Sequence, residues 1–462
     1  MAELETHEEK QPHPHGSVSP DLLAAVLDAL EAQDALRLER IILDLPAEDL
    51  ADLLHLCTPE NRRAILDVVR LHLDPEVLPL LDDSVREDMV EQLNTKELAN
   101  AITNLETDDA VEVMETLDRD EQRQVLSALP ADERDALRTS LSYPDESAGR
   151  LMQREFIAVP EDWQAQQVVE YVRSRSELPE AFYDVFVVNG EGHALGTVPL
   201  HRLLRVASTT PVRALMDDQH QRIPVLMNQR EVAYIFHRYG LVSAPVEDEK
   251  QRLVGMITID DVIDIIEDQA TEELVHLSGV SEPDFYRDLK ETTQSRFTWL
   301  FVNLLTAILA SWVISFFEPA LKAFVALAVL MPIVASQGGN AGTQTLAVAV
   351  RGLALRELSW MNAWRFLVKE ATVGALNGVF FAVIIGVFAG FWYHNWMISV
   401  VISLAMVINL IAAALAGTMI PLLLHRLKID PAISSSALVT MVTDCCGFAS
   451  FLGLATLLLT QK

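Results

Sequence analysis

Thr440-Met441-Val442-Thr443-Asp444-Cys445-Cys446-Gly447 lies inside an apolar stretch, Ala432 to Leu459, that carries one acidic residue and no basic one. That length and composition predict a membrane-crossing helix. A charged carboxylate at such depth costs roughly 2.5 to 3.5 kcal/mol on insertion scales, so acids kept there usually face a cavity or an ion path. Asp444 is therefore the leading site candidate in the chain. Two other readings compete with it: an acid paired with a basic residue of another span, and a protonated acid hydrogen-bonded to Thr440 or Thr443. The first is weakened because the apolar interiors of the other spans offer no Lys or Arg. One carboxylate suits Mg2+, which keeps several waters and accepts one or two carboxylates rather than a full protein cage.

Four further apolar stretches of spanning length precede it, near 297 to 317, 321 to 350, 366 to 393 and 397 to 424. Five spans put the termini on opposite sides of a bilayer. Lys and Arg collect in cytoplasmic loops, and here Arg287, Lys290 and Arg296 precede the first span. Arg351, Arg356, Arg365 and Lys369 surround the second connection between spans, and Arg426 and Lys428 follow the fourth span. The intervening turns, Phe317-Glu318-Pro319 and Tyr393-His394-Asn395-Trp396, carry neither, and Trp392 and Trp396 suit an interfacial belt. The expected arrangement is a multi-pass protein of the cell inner membrane with its N-terminal domains cytoplasmic and its C-terminus outside. The second span holds Pro332 and the run Ser336-Gln337-Gly338-Gly339-Asn340-Ala341-Gly342-Thr343-Gln344-Thr345. Broken backbone at membrane depth survives only where it is buried in protein or lines water, so this run is read as pore lining; close helix packing through Gly338 and Gly342 is the other reading.

The formal charge of −31 is unevenly spread. From Phe297 onward there are eight Lys or Arg and five Asp or Glu, against 35 and 66 in the whole chain. The part before it is therefore −34 and the part after it +3. An acidic front of nearly 300 residues excludes nucleic acid as a partner and makes metal cations its natural counter-ions. Cys57, Cys445 and Cys446 make neither a disulfide framework nor a spaced zinc site. Residues 1–20 are polar, with His7, His13 and His15 and no apolar core; they are expected to be a disordered tail rather than a signal peptide.

Residues 21–145 repeat short amphipathic helices punctuated by Leu45-Pro46-Ala47, Leu117-Asp118-Arg119 and Leu129-Pro130-Ala131, with acids just after each break, where helix N-termini favour them. A helical superhelix with an acidic outer face follows. Asp108 and Asp109 open one unit; helix capping is the better reading for them and metal sensing the other.

From Leu151 short strands alternate with helices, twice. Leu151-Met152 is echoed by Leu215-Met216, and Val185-Phe186-Val187-Val188 with Gly196-Thr197-Val198 by Ala244-Pro245-Val246 with Gly255-Met256-Ile257. The two copies, in 146–207 and 208–268, resemble an α/β tandem cystathionine-beta-synthase (CBS) domain pair. That resemblance implies that Gly255, Thr258 and Asp261 can hold ATP or another adenine nucleotide; the first copy lacks the acid. A helical run, Asp260 to Glu273, comes next. In it Asp261, Asp264 and Asp268 share one face, which either stays solvated or binds a cation.

At Pro332 to Arg351, Ile259 to Glu273 and Asp430 through Asp444 the chain resembles the MgtE family of magnesium transporters. The resemblance implies a mainly α membrane protein, a homodimer in the lipid bilayer. Its parts are an acidic N domain, a CBS pair, a connecting plug helix over 269–296 and five transmembrane helices per subunit in 297–462. It implies a pore on the dimer axis lined by the second and fifth spans, with Asp444 holding hydrated Mg2+ and Thr440 adding an oxygen. It also implies that internal Mg2+ bound at Asp261, Asp264, Asp268, Glu272 and Glu273 holds the pore shut. Gln269 and Gly240 stand where some relatives have acids, and Ser436 replaces a pore-side asparagine. The expected function is Mg2+-selective uptake down the electrochemical gradient. No Walker loop or phosphorylated-aspartate site suggests a pump or another enzyme. A broader Co2+, Ni2+ or Mn2+ channel and a non-transporting CBS-regulated sensor or scaffold are the alternatives.

Overall fold

Repeated helix starts build the first part of the chain. The structure, a computed structural model, describes residues 18–70, 72–175, 178–179, 182–217, 221–277 and 289–459. Residues 1–17 of the expected tail lie outside these, but Val18 is buried and Ser19 caps α1 (Pro20–Glu31), so the ordered chain begins before residue 20. Then follow α2 (Ala35–Leu43), α3 (Ala47–Leu56), α4 (Pro59–Val69), a 3₁₀ turn at Pro75–Val77, α5 (Asp83–Val90), α6 (Thr95–Thr103), α7 (Thr107–Glu115), α8 (Arg119–Ala128) and α9 (Ala131–Ser140). Asp34, Thr58, Asn94 and Asp118 accept N-terminal amide hydrogens, the last two in reciprocal capping boxes with Glu97 and Glu121. The inward faces pool into one apolar core that includes Leu53, Leu54, Ile65, Leu66, Leu78 and Met114.

A second device ties consecutive helices. Arg62 donates Nε to the carbonyls of Leu54 and Cys57 and pairs with Asp88 at 3.0 Å. Arg86 repeats this, reaching the carbonyls of Leu78 and Leu81 and Glu112 at 2.5 Å. Gln122 reaches Met114 and Leu117 at the same two offsets. The last carbonyls of a helix lack internal partners; here the following helix supplies them. The Arg charges stay paired although the side chains are buried, as burial requires.

Beyond α10 (Ala148–Leu151) come β1 (Ala158–Pro160), α11 (Ala165–Ser174), β2 (Asp184–Val188), β3 (Ala194–Pro199) and α12 (Leu200–Leu203). The second copy has β4 (Ile223–Pro224), α13 (Gln229–Tyr239), β5 (Ser243–Glu247), β6 (Leu253–Thr258) and α14 (Ile259–Leu277). Each copy makes a three-stranded sheet, β1-β2-β3 and β4-β5-β6, with a parallel first pair and an antiparallel second. The leading strands β1 and β4 carry too short an apolar run to stand out in sequence.

Packing crosses the sequence boundaries expected at 146 and 208. Gln153 bridges to Met256 of the second sheet, and Ala148 and Met152 lie in the second copy's core. Reciprocally, Asp217 bridges to Thr197 of the first sheet, and Val212 lies in the first copy's core with Leu215 and Met216 packed on it. The glycines explain the exchange. A Cβ at Gly255 would stand 2.6 Å from Met152 Sδ, and one at Gly196 would stand 2.8 Å from the Asp217 carbonyl, so only glycine lets the exchanged segments lie on the sheets.

The chain divides into two compact units, Met1–Glu267 and Asp268–Lys462. Helix α14 runs unbroken through the expected boundary at 268/269, and 278–288 of the expected plug lie outside the described residues. The second unit contains α15 (Leu289–Ser315), α16 (Glu318–Ala323), α17 (Val325–Ala354), α18 (Ala363–Tyr393), α19 (Trp396–Arg426) and α20 (Pro431–Leu459). All except α16 are long and apolar enough to cross a membrane. Helix α16 replaces the expected plain turn at Phe317-Glu318-Pro319, and its Lys322 pairs with Glu318 at 2.5 Å. Helices α17, α19 and α20 share a core of Val334, Ala405, Met406 and Phe451. Large side chains such as Leu300, Trp312, Phe380 and Phe391 are exposed, as a lipid-facing surface requires.

Candidate functional site: an acid in an apolar helix and a carboxylate cluster in the first unit

Helix α20 turns Ser436, Thr440 and Asp444 onto one side, four residues apart. Thr440 is exposed and Asp444 partly so, while Ser435, Val439 and Thr443 on the adjoining face are buried. That buried side packs on α17: a Cβ at Gly342 would stand 2.7 Å from Val439 Cγ1 and 3.3 Å from Thr443 Cγ2.

Among the described residues the Asp444 carboxylate has neither a hydrogen bond nor an ion pair. The hydroxyls that could have served it are committed elsewhere, Thr440 Oγ1 donating to the Ser436 carbonyl and Thr443 Oγ1 to that of Thr440, both at 3.0 Å. The geometry therefore contains neither the paired acid nor the threonine-bonded acid weighed from sequence.

The expected break in the second span is absent. Helix α17 is continuous over Val325–Ala354, with Pro332 inside it. Its polar run divides by face: Gly338, Gly342 and Thr345 are buried, while Ser336, Asn340, Thr343 and Gln344 are exposed. Gly342 packs on α20, a Cβ at Gly338 would collide with Asn409 of α19, and Gly339 faces open space. Backbone hydrogen bonding survives because the glycines admit neighbouring helices rather than a turn.

A second intramembrane acid was missed. Glu370 of α18 is buried, accepts from Thr345 Oγ1 at 3.4 Å and lies 3.7 Å from Lys369 Nζ. Both residues belong to α18, in its second turn, so a basic residue read with the connection lies within the helix beside a buried acid. In sequence Lys369 reads as loop flank because basic residues crowd that side, and the adjacent Glu370 is easily passed over with it.

In the first unit the opening turns of α7 and α14 face each other. Glu106, Asp108, Asp109 and Glu112 come from one, Asp260, Asp261 and Asp264 from the other. Burial and the neighbouring charges of Asp261, Glu112, Glu106 and Glu76 push Asp109 up to about 7. Burial, with Asp260 and Glu106, also pushes Asp261 to about 7 against the opposing hydrogen bond from Thr258. Asp108 is raised well above the carboxylate range by burial and by Asp261, Asp109 and Glu106. Burial raises Asp264 as well, with Glu267 and Asp260 adding to it. These shifts describe carboxylates removed from water and, secondarily, held close to one another without enough compensating positive charge.

Capping accounts for only part of what Asp108 and Asp109 do: both stand in the first turn of α7, but they share its amide hydrogens with Glu155. The amide hydrogen of Thr107 goes to Glu155 at 3.3 Å, the Thr107 hydroxyl to the same carboxylate at 2.8 Å, and Asp108 accepts from Asp109 N at 3.0 Å. Gln153 holds Glu106 at 3.0 Å. Among the described residues no group of three or more His, Cys, Asp or Glu side chains is set to hold a metal by itself. The donors are all hard oxygens, the ligand type that hydrated divalent cations such as Mg2+ accept.

The residues proposed for nucleotide are arranged otherwise than expected. Thr258 donates its hydroxyl to Asp261 Oδ2 at 2.8 Å, and the side of buried Gly255 where a Cβ would stand is taken by Met152 and Gln153. Asp268 and Glu272 lie further along α14, in the second unit, and the side chain of Glu273 lies outside the described residues. Near the end of α14, His276 Nδ1 is 3.7 Å from Asp430 Oδ2, and Asp430 Oδ1 accepts the Ala432 amide hydrogen at the start of α20 at 2.7 Å.

With this geometry in hand, similarity to known proteins is informative. Residues 331–454 match a family model described as a divalent cation transporter, residues 45–146 the MgtE intracellular N domain, and residues 148–209 and 212–268 the CBS domain. The chain is 32 % identical to the magnesium transporter MgtE of Bacillus subtilis over 323 residues, 70 % of this chain and 71 % of that one. It is 33 % identical to the Thermus thermophilus MgtE over 320 residues, 69 % and 71 % of the two chains. A solved cytosolic domain of the Mg2+ channel MgtE in complex with ATP covers 53 % of this chain and 99 % of its own at 24 % identity, with a TM-score of 0.49. Five apolar helices behind a helical N domain and a CBS pair, with these relatives, make the chain a multi-pass membrane protein that belongs to the MgtE family of magnesium transporters.

Proposed function

We propose that the protein is a homodimeric, Mg2+-selective channel that admits hydrated Mg2+ down its electrochemical gradient. The observation that carries this reading is the unpartnered Asp444 carboxylate on the exposed side of α20. Two copies of that side, facing each other across a dimer axis beside the polar face of α17, would put two carboxylates around one path. Thr440 stands one turn before Asp444 and adds oxygen. Ions that keep their water shell are held by charge and hydrogen bonds rather than by a tight cage, which favours Mg2+. Basic residues at Arg351, Arg356, Arg426 and Lys428 orient the front of the chain toward the cytoplasm of the inner membrane.

Regulation is assigned to the carboxylates shared by α7 and α14. Internal Mg2+ at Asp108, Asp109, Asp261 and Asp264 would neutralise their repulsion and stabilise the closed arrangement, with Asp268, Glu272 and Glu273 extending the acidic run. The contact from His276 to Asp430 supports a route from α14 to the pore helix within the second unit. The CBS pair is a candidate adenine-nucleotide site through Thr258 and Asp261, in competition with the cation.

The test is reconstitution of the full chain in liposomes with a series of Mg2+, Co2+, Ni2+ and Mn2+. Flux ranked Mg2+ first and abolished by Asp444→Ala is expected. Undiminished flux in that variant would remove Asp444 from the path.

A further inference from the structure

Asn409 lies in the middle of α19 and is completely buried. Its Nδ2 donates to the Val334 carbonyl of α17 at 2.8 Å, while its Oδ1 has no hydrogen-bond partner among the described residues. Two glycines press on the same amide. A Cβ at Gly338 of α17 would collide with Nδ2, and one at Gly447 of α20 would stand 2.8 Å from it. One side chain therefore separates the two helices that line the proposed path, at the point where both have given up a side chain.

A buried amide oxygen left without a donor disfavours the fold, and leucine has the same branched skeleton with no polar atom to satisfy. Packing alone therefore does not explain an amide here. Its distinctive properties are a directed bond to one carbonyl and a flat shape that two backbones can approach. Gly447 is three residues after Asp444 on the same helix, so any shift of α20 at Gly447 carries Asp444 with it.

We propose that Asn409 is a positioning residue for ion passage: by holding the Val334 carbonyl and seating Gly338 and Gly447, it fixes the height and facing of Asp444 relative to α17. The inference rests on the pore reading of Asp444, and its test separates the two. Full-length wild type, Asn409→Leu, Asn409→Ser, Gly447→Ala, the double variant Asn409→Ala with Gly447→Ala, and Asp444→Ala are reconstituted in liposomes. Flux is followed over a concentration series of Mg2+ and of Ni2+, with Tm and oligomer size as controls.

Interhelical hydrogen bonds in membranes are modest, so the expected rise in half-saturating Mg2+ for Asn409→Leu is about fivefold, with a changed Mg2+ to Ni2+ preference. Asn409→Ser moves both the same way by a smaller factor. The double variant transports more like wild type than Gly447→Ala does, because removing the amide makes room for the added methyl. A purely structural role would lower Tm and the amount of active protein but leave half-saturation and preference where they were. Unchanged values in folded Asn409→Leu overturn the proposal; if that variant fails to assemble, unchanged values in Asn409→Ser do so. Flux that survives Asp444→Ala overturns the pore reading instead.

Discussion

Replacing Asp109 with Asn should stabilise the Mg2+-free protein. The Asp109 carboxyl stands at about 7 against an ordinary value of 3.8, because of burial and the charges of Asp261, Glu112, Glu106 and Glu76. A carboxyl whose folded value is raised binds its proton more tightly in the folded state than in the unfolded one, so stability falls as pH rises. The penalty is absent below about pH 3.8, grows between there and pH 7, and is complete above. Taken at face value it is about 4 kcal/mol at pH 8. Asp109 is only partly buried, and Asp261, also at about 7, is itself one of its causes; halving the figure for screening and shared origin leaves about 2 kcal/mol. In a unit of the size of Met1–Glu267 that is about 4 to 8 °C in Tm. The assay is thermal unfolding of the full chain in detergent at pH 6 and pH 8, with EDTA or with Mg2+. Wild type should melt higher at pH 6 than at pH 8 in EDTA and should gain at pH 8 from Mg2+. Asp109→Asn should begin at the higher Tm at pH 8 and lose most of both responses. An Asp109→Asn protein that melts at or below wild type in EDTA, and still gains the full increment from Mg2+, would refute the charge-repulsion account.

Three further expectations concern other parts of the chain. On the proposed Mg2+-gated channel, Asp261→Ala combined with Asp264→Ala should leave conduction open at millimolar internal Mg2+ in patch recordings; closure identical to wild type would move the sensor elsewhere. Arg86→Ala leaves Glu112 without its ion pair and the carbonyls of Leu78 and Leu81 without their donor, at a cost of about 3 kcal/mol, readable as a lowered urea midpoint; a loss below about 1 kcal/mol would mean water replaces the guanidinium. Gly342→Leu forces a side chain toward Val439 and Thr443 and should cost about 1 to 3 kcal/mol together with most of the flux, whereas the same change at Gly339, which faces open space, should leave Tm unaltered.

What sequence could reveal depended on whether the signal was local. The five spans were legible because twenty consecutive apolar residues need no tertiary context, and the CBS copies because β2, β3, β5 and β6 repeat one pattern. The polar run of α17 misled: glycines four residues apart read as a break, yet they are also what a helix needs to meet Val439 and Asn409 closely. Arg62 and Arg86 carried a repeat of carbonyl capping that hydropathy does not register, since a buried arginine looks like any surface one. Glu370 was hidden among basic flanking residues. The meeting of Asp108 and Asp109 with Asp261 joins positions about 150 residues apart, and no local pattern encodes it. Capping was the sensible local reading of Asp108 and Asp109; Asp108 does accept the Asp109 amide hydrogen, while Glu155, distant in sequence, takes that of Thr107.

The exchange between the two CBS copies bears on how this region can come apart. With Met152 and Gln153 lying on the second sheet and Met216 and Asp217 on the first, cleavage near residue 208 would yield two fragments, each lacking a strip its sheet requires and each carrying a strip with nowhere to bind. Neither is self-sufficient, so the copies should melt in one step, and a perturbation felt in one is passed to the other without any motion of a linker.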